Sequence, residues 1–248
     1  MAVLGIDIGG SGIKGAMVAV HSGELVTERK RLPTPQGAKP NDVALVVKEL
    51  SKQFQVEGAI GCGFPAVVRN NIILTAANVH ESWIGVNLSS LMEEATGHIV
   101  YSVNDADAAG LAEMNFGAGK GMEKGVVLII TLGTGIGTAV FSNGHLVPNT
   151  EFGHLKIRGK DAETRASDAA RQEKKLSWKK YSTRLEEYIN EMERLFWPDL
   201  IIIGGGISKM TDKFLPQLQV KTKIIPAQLL NQAGIVGAAI YASRKGII

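Results

Sequence analysis

The chain has 248 residues, 45% apolar and 21% charged, with a net charge of +3, an ordinary globular composition with room for one large or two medium cores. No run approaches the roughly 20 apolar residues that span a bilayer, so a membrane protein is not expected. One cysteine, Cys62, excludes an internal disulfide and a multi-cysteine zinc site, and MAVLGIDIGG lacks the basic start of a secretory signal, so a cytoplasmic protein is expected.

Two apolar stretches, Val3 to Ile8 and Ile13 to Val20, read as strands joined by the glycine loop of GIDIGGSGIKGA, and HSGE turns the chain again. RLPTPQGAKPN, with three prolines, reads as a loop before a helix whose Val43, Val46, Val47 and Leu50 recur at helical spacing. Ala59 to Phe64 reads as a buried strand ending at Pro65, with Cys62 as filler between glycines rather than a nucleophile. After a polar loop through Trp83, a helix is expected from Leu88 to Thr96.

HIVYSV then runs as a strand into NDADAAGLAE, which puts Asn104 at a strand end and a helix from Ala106 onward. Ala106, Ala108, Ala109, Gly110 and Ala112 would let that helix pack closely on a neighbour. The link FGAGKGMEKG leads to a second strand VVLIITL, a turn GTGIG and a third strand TAVF. This repeats the opening pattern, Asp7 to Gly12 against Thr131 to Gly137, and suggests two lobes of related construction. A basic helical region, the strand and turn LIIIGGGISK, and a small-residue helix QAGIVGAAIYASRK complete the chain.

Three glycine loops therefore follow three apolar strands. Without a Cβ in the way, successive backbone N–H groups can approach an anion and form a concave site for it. GxxxxGK[ST] is absent, so no P-loop is expected, and in GTGIG the last glycine follows too soon for the GxGxxG dinucleotide fingerprint. Asn104-Asp105 has two readings: a general base with an amide beside it, or an Asx turn capping the helix. In EFGHLKI, Glu151 and His154 bracket a turn and suit neighbouring sugar hydroxyls, a metal with further ligands, or no function. Between Lys156 and Arg184 lie ten basic residues against four acidic ones, either a polyanion track or a solvated helical face.

Taken together, GIDIGGSGIKGA, LTAANVHESWIG, VNDADAAGLAE, LGTGIGTAV, EFGHL, DAETRAS, LFWPDLIIIGGGISK and AGIVGAA resemble the repressor, open-reading-frame and kinase (ROK) family of sugar kinases, most of all its polyphosphate-using glucokinases. The resemblance implies an α/β, two-lobed actin/hexokinase-like (ribonuclease H-like) ATPase fold with a cleft between lobes. It places an N-terminal lobe over 1–115, joined by a C-terminal helix 236–248, and a second lobe over 116–235. The implied reaction moves a phosphoryl group from inorganic polyphosphate, and from ATP, to the 6-hydroxyl of glucose. A strictly ATP-dependent hexokinase for glucose or mannose, or a non-catalytic sugar-responsive protein, are the alternatives.

By the same resemblance Asp105 is the base, with Asn104, Glu151, His154 and Glu163 as sugar ligands. Gly9, Gly10, Ser11, Gly12 and Lys14 form the first phosphate loop, and Gly133, Thr134 and Gly135 the second. Asp7 faces Mg²⁺, and Gly204, Gly205 and Gly206 meet an adenosine. Lys156, Lys174, Lys175, Lys179 and Lys180 are candidates for a polyphosphate track. No zinc is expected, because the cysteine cluster that many members carry after the EFGH histidine has no counterpart here. Ala66 in FPAVV and His80 in NVHESW depart from the usual glycine and aspartate near the sugar-side loop. A homodimer is expected, with glucose and polyphosphate or ATP as partners and no nucleic acid, since the first phosphate loop begins within ten residues of Met1.

Overall fold

The computed structural model describes residues 1–246, in two compact units: Met1–Phe116 with the chain from Gln232 onward, and Gly117–Asn231. In the first unit β1 (Ala2–Ile8) and β2 (Ile13–Ala19) pair as an antiparallel hairpin, from Ala2 opposite Ala19 to Ile8 opposite Ile13. The outer edge of β2 carries β3 (Glu24–Leu25) and β4 (Lys30–Leu32). The second of these corrects the expected loop: Lys30–Leu32 has no apolar alternation to announce a strand, and pairing with Ile13, Lys14 and Gly15 is what makes it one.

Helix α1 (Pro40–Ser51) begins on a proline, which suits the first helical turn because its missing N–H has no partner there. It buries Val43, Ala44, Val47 and Leu50. β5 (Ile60–Phe64) runs parallel to β1 and is buried throughout; burial pushes the Cys62 thiol up to about 12, in keeping with an inert core residue. A small hairpin, β6 (Val68–Arg69) and β7 (Ile72–Ile73), leads to α2 (Leu88–Thr96), capped by Asn87 and ended by Gly97 in the left-handed region. β8 (Val100–Asn104) then pairs parallel with β5, and α3 (Asp105–Phe116) follows without a break. The sheet order is β3-β2-β1-β5-β8, with β1, β5 and β8 parallel. Their carboxyl ends, Ile8, Phe64 and Asn104, share one edge, where open α/β sheets bind ligands.

In the second unit β9 (Val126–Leu132), β10 (Ile136–Ser142) and β11 (His145–Val147) form an antiparallel meander. A short hairpin, β12 (Lys156–Ile157) and β13 (Lys160–Asp161), precedes α4 (Glu163–Ala166), α5 (Asp168–Glu173) and α6 (Trp178–Phe196). The basic region is thus broken into three helices. Ser167 and Ser177 cause the breaks, each accepting a bond from the N–H three residues on and starting a new helix. The long α6 buries Tyr181, Leu185, Tyr188, Ile189 and Met192, one helical face. β14 (Leu200–Gly204) and β15 (Ile224–Pro226) add parallel to β9, giving the order β11-β10-β9-β14-β15. Both units therefore run two antiparallel pairings and then two parallel ones.

Helix α7 (Ala233–Lys245) belongs to the first unit and packs on β1, β5, β8 and α3. The contact is backbone against backbone: a Cβ on Gly61 would strike the carbonyl of Ala238, and one on Gly237 that of Ala108. The small residues of α3 serve this approach. Residues 247 and 248 of the expected C-terminal helix lie outside the described residues.

Candidate active site

In the first unit the loop Gly9–Gly12 crosses from β1 to β2, and the Gly9 N–H donates to the Gly12 carbonyl at 3.2 Å. Thr34 Oγ1 donates to the Gly9 carbonyl at 2.5 Å, and Arg31 Nη2 to the Ser11 carbonyl at 2.7 Å. Asp7 and Lys14 face each other across the hairpin, Nζ to Oδ2 at 3.0 Å, both partly buried. Gly234 in the first turn of α7 packs on Asp7; a Cβ there would lie 3.0 Å from its Cγ. Neither Arg31 nor Thr34 is singled out by the sequence reading, because β4 carries no period and the proline-rich stretch reads as a connector.

Asn104 ends β8 and is 5% exposed. Its Oδ1 accepts the Asp107 N–H at 3.0 Å and its Nδ2 donates to the Ala66 carbonyl at 3.1 Å. Asn104 is therefore the cap of α3, and it ties the end of β8 to the residue after Pro65. Asp105, half-buried, accepts the N–H of its own neighbour Ala106 at 2.8 Å. The two readings of the pair thus divide between its members: the amide caps, and the carboxylate is not needed for that task. Asp7, Gly9 to Gly12, Lys14, Asn104 and Asp105 all stand at or just beyond one edge of one sheet.

In the second unit Glu151, His154 and Glu163 come together, joined by Asp161. His154 Nδ1 lies 3.3 Å from Asp161 Oδ2 and 3.9 Å from Glu163 Oε1, and its Nε2 lies 3.9 Å from Glu151 Oε2. Thr138, 2% exposed, holds the start of the turn: its hydroxyl donates to the Thr150 carbonyl and accepts the Phe152 N–H. Glu163 Oε2 accepts the Ile136 N–H at 3.3 Å, which links the cluster to the end of the second glycine loop. Burial lifts the Glu151 carboxyl above its ordinary range, His154 opposing and Glu163 adding to the shift. Hydrogen bonds from Lys156 and then His154 hold Asp161 below it. Asp161 escapes sequence reading because its approach to His154 depends on the β12–β13 hairpin, not on a spacing. Three carboxylates around one imidazole offer acceptors to several vicinal hydroxyls at once.

The second glycine loop closes with the Gly133 N–H donating to the Gly135 carbonyl, and the Gly133 carbonyl accepts the Ala169 N–H at the start of α5. Gly204 pairs with Thr131, and Gly205, at φ +83, presses on the end of β9, where a Cβ would meet the Leu132 carbonyl. The loops Gly133–Gly135 and Gly204–Gly206 are thereby neighbours. The five candidate track lysines are differently engaged. Lys156 is ion-paired with Asp161 and so joins the His154 cluster, and Lys174 Nζ donates to the Thr164 carbonyl. Lys174 caps the C-terminus of α5 and Lys175 follows it, while Lys179 and Lys180 lie in the first turn of α6, all four exposed. Arg158 and Arg165 share Glu187, and Arg171 pairs with Asp168 while its guanidinium lies 4.4 Å over the Trp178 ring.

Among the described residues no group of three or more His, Cys, Asp or Glu side chains has the arrangement of a metal site, and no helix is long and apolar enough to cross a membrane. Asp7 alone still suits Mg²⁺, which is commonly held by one or two carboxylates with substrate phosphates and water completing its shell.

The chain is 47% identical over 237 residues, 95% of its length and 89% of the relative's, to the polyphosphate glucokinase of Mycobacterium tuberculosis (strain CDC 1551 / Oshkosh). It superposes with a TM-score of 0.94 and 50% identity on the crystal structure of inorganic polyphosphate/ATP-glucomannokinase from Arthrobacter sp. strain KM, covering 98% of this chain and 99% of that one. At 24% identity and a TM-score of 0.82, over 98% of this chain and 100% of the other, it shares the fold of a ROK family glucokinase from Streptomyces griseus. That fold is the actin/hexokinase-like one which the glycine hairpins and parallel strands of both units build. Residues 3–167 match the ROK family, and the chain belongs to it.

Proposed function

We infer that this protein transfers a phosphoryl group from inorganic polyphosphate, and also from ATP, to the 6-hydroxyl of glucose, giving glucose 6-phosphate and a shortened polyphosphate or ADP. The observation that carries this reading is the division of labour at the end of β8. Asn104 caps α3, and the Asp105 carboxylate stands next to it at the same sheet edge as the glycine loop and Lys14. The similarity to proteins named polyphosphate glucokinase and polyphosphate/ATP-glucomannokinase supports the choice of substrates.

In this reading Asn104, Glu151, His154 and Glu163 hold the sugar's hydroxyls. Asp105 accepts the proton of the 6-hydroxyl as its oxygen bonds to the terminal phosphorus and the bond to the bridging oxygen breaks. The N–H groups of Gly9, Gly10, Ser11 and Gly12, with Lys14, receive the transferred phosphoryl; those of Gly133, Thr134 and Gly135 hold the next phosphates. Aligned donors of this kind stabilise charge where it develops and need no reorganisation at the moment of transfer. Asp7 would hold Mg²⁺, which supplies charge neutralisation on the donor's phosphates when bound. For ATP, Gly204, Gly205 and Gly206 provide the adenosine seat, their position beside Gly133 being the feature that favours a nucleotide as a second donor. Lys174, Lys175, Lys179 and Lys180 are the exposed cations for a longer chain, Lys156 being occupied by Asp161. The family resemblance supports a cytoplasmic homodimer with two lobes near 1–115 and 116–235.

The test is glucose phosphorylation measured in parallel with polyphosphate and with ATP. Turnover with both supports the reading, turnover with ATP alone removes polyphosphate from it, and no turnover with either overturns it.

A further inference from the structure

The charge of the first phosphate loop does not rest where its sequence suggests. Lys14 is the loop's evident cation, but its ammonium stands 3.0 Å from the Asp7 carboxylate, so much of its charge is already offset. Directly across the β2–β4 pairing from Lys14 stands Arg31. Its guanidinium reaches over the loop and donates one hydrogen bond, Nη2 to the Ser11 carbonyl at 2.7 Å. Among the described residues no carboxylate pairs with it, whereas the neighbouring Lys30 is paired with Glu28.

The seat is specific. A Cβ on Gly12 would lie 2.7 Å from the Arg31 Cζ, so this arginine takes the space that only a glycine leaves open. Gly12 thus serves two ends, an unobstructed loop and a floor for the guanidinium. Thr34, two residues beyond β4, holds the Gly9 carbonyl, so β4 and its extension brace both ends of the loop. Arginine offers five N–H donors in a planar fork that matches phosphate oxygens two at a time, and the bond to Ser11 uses one of them. An exposed, unpaired fork fixed against a phosphate loop is a ligand for the anion that the loop holds.

We propose that Arg31 is a second cationic ligand for the donor's phosphate chain at the Gly9–Gly12 loop. The proposal rests on the phosphotransfer reading for its substrate, but the anion site it describes is testable without any sugar.

Tripolyphosphate binding to the protein without glucose, followed by calorimetry at low and at moderate salt, measures the site directly. Steady-state kinetics with polyphosphate at saturating glucose measures its use. Arg31→Met should weaken tripolyphosphate binding about tenfold and flatten its salt dependence, the loss of one charge-assisted contact. The KM for polyphosphate should rise by a similar factor while the KM for glucose stays within about twofold. Arg31→Lys should recover part of the loss, since it restores the charge without the fork. Gly12→Ala keeps Arg31 in the chain but displaces its guanidinium, and should weaken tripolyphosphate binding while the protein melts near the wild type.

Wild-type tripolyphosphate affinity in Arg31→Met overturns the proposal, as does an equal loss of affinity for glucose, which would mark Arg31 as a brace only. The two readings fail separately. A wild-type protein that binds tripolyphosphate through Arg31 but phosphorylates no sugar defeats the kinase reading alone; an active glucokinase indifferent to Arg31 defeats this one alone.

Discussion

Replacing Asn104 and Asp105 one at a time separates the helix cap from the base in the NDAD segment. Asn104→Ala removes two bonds of a side chain that is 5% exposed, the cap on the Asp107 N–H and the donation to the Ala66 carbonyl. A lost cap costs about 1 kcal/mol and a buried carbonyl without its donor about another, so the variant should be destabilised by about 2 kcal/mol. For a chain of this size that corresponds to a fall of about 4–8 °C in the melting temperature. Asp105→Ala removes a bond to the adjacent N–H and puts a better helix former in the first turn. Its stability should stay within about 1 kcal/mol of wild type. Its rate should not: a general base is worth about a hundredfold or more, at least ~2.7 kcal/mol of barrier. Melting by circular dichroism and a coupled assay for glucose 6-phosphate read the two effects independently. A folded Asp105→Ala enzyme within tenfold of wild-type turnover refutes the assignment of the base. A loss of stability as large as that of Asn104→Ala refutes the division of labour.

Glu151→Gln should be more stable than wild type at pH 7, and the gain should shrink towards pH 4. Burial makes this carboxyl harder to ionise in the folded chain than in the unfolded one, so stability is lost as pH rises through that interval and the amide avoids the loss; a gain that is the same at both pH values contradicts it. Asp161→Asn should raise the KM for glucose severalfold with a smaller change in kcat, because it loosens the His154 ring without removing a reacting group; an effect on kcat alone would place Asp161 elsewhere in the chemistry. Lys179→Glu with Lys180→Glu should raise the KM for polyphosphate more than that for ATP, and more at low salt than at high. Equal effects on both donors would take these lysines out of the track.

The strands of both cores are legible because buried parallel strands are written as continuous apolar runs such as VVLIITL and LIIIG. The repeat of strand, glycine turn and strand at Asp7 to Gly12 and Thr131 to Gly137 is the trace of one strand order used twice. What escapes are the pieces whose structure is imposed from outside. Lys30–Leu32 becomes a strand only because β2 has an open edge, and β12 with β13 is a two-residue pairing that no period can announce. Arg31 and Asp161 lie on just those pieces, so the site residues that sequence reading misses and the elements it misses are the same stretches of chain. The role of the alanines in α3 is readable as close packing, but their partner is not, since α7 lies more than a hundred residues further on. The charge count between Lys156 and Arg184 overstates the free basic face, because Lys156, Arg158, Arg165 and Arg171 spend their charge on carboxylates.

The backbone contact between α7 and the sheet of the first unit has a consequence for the order in which the protein is made. Gly61 and Gly5 are shaped to receive a helix that leaves the ribosome only after every residue of the second unit. The second unit is one continuous stretch and has all its parts while the first still lacks a wall. During synthesis the first unit therefore waits, with the face of β1 and β5 that α7 covers left open to solvent and to chaperones. Cleavage or mutation near Gln232 would return it to that half-built state, so the segment from Gln232 onward acts as the latch on a unit whose other parts were finished first.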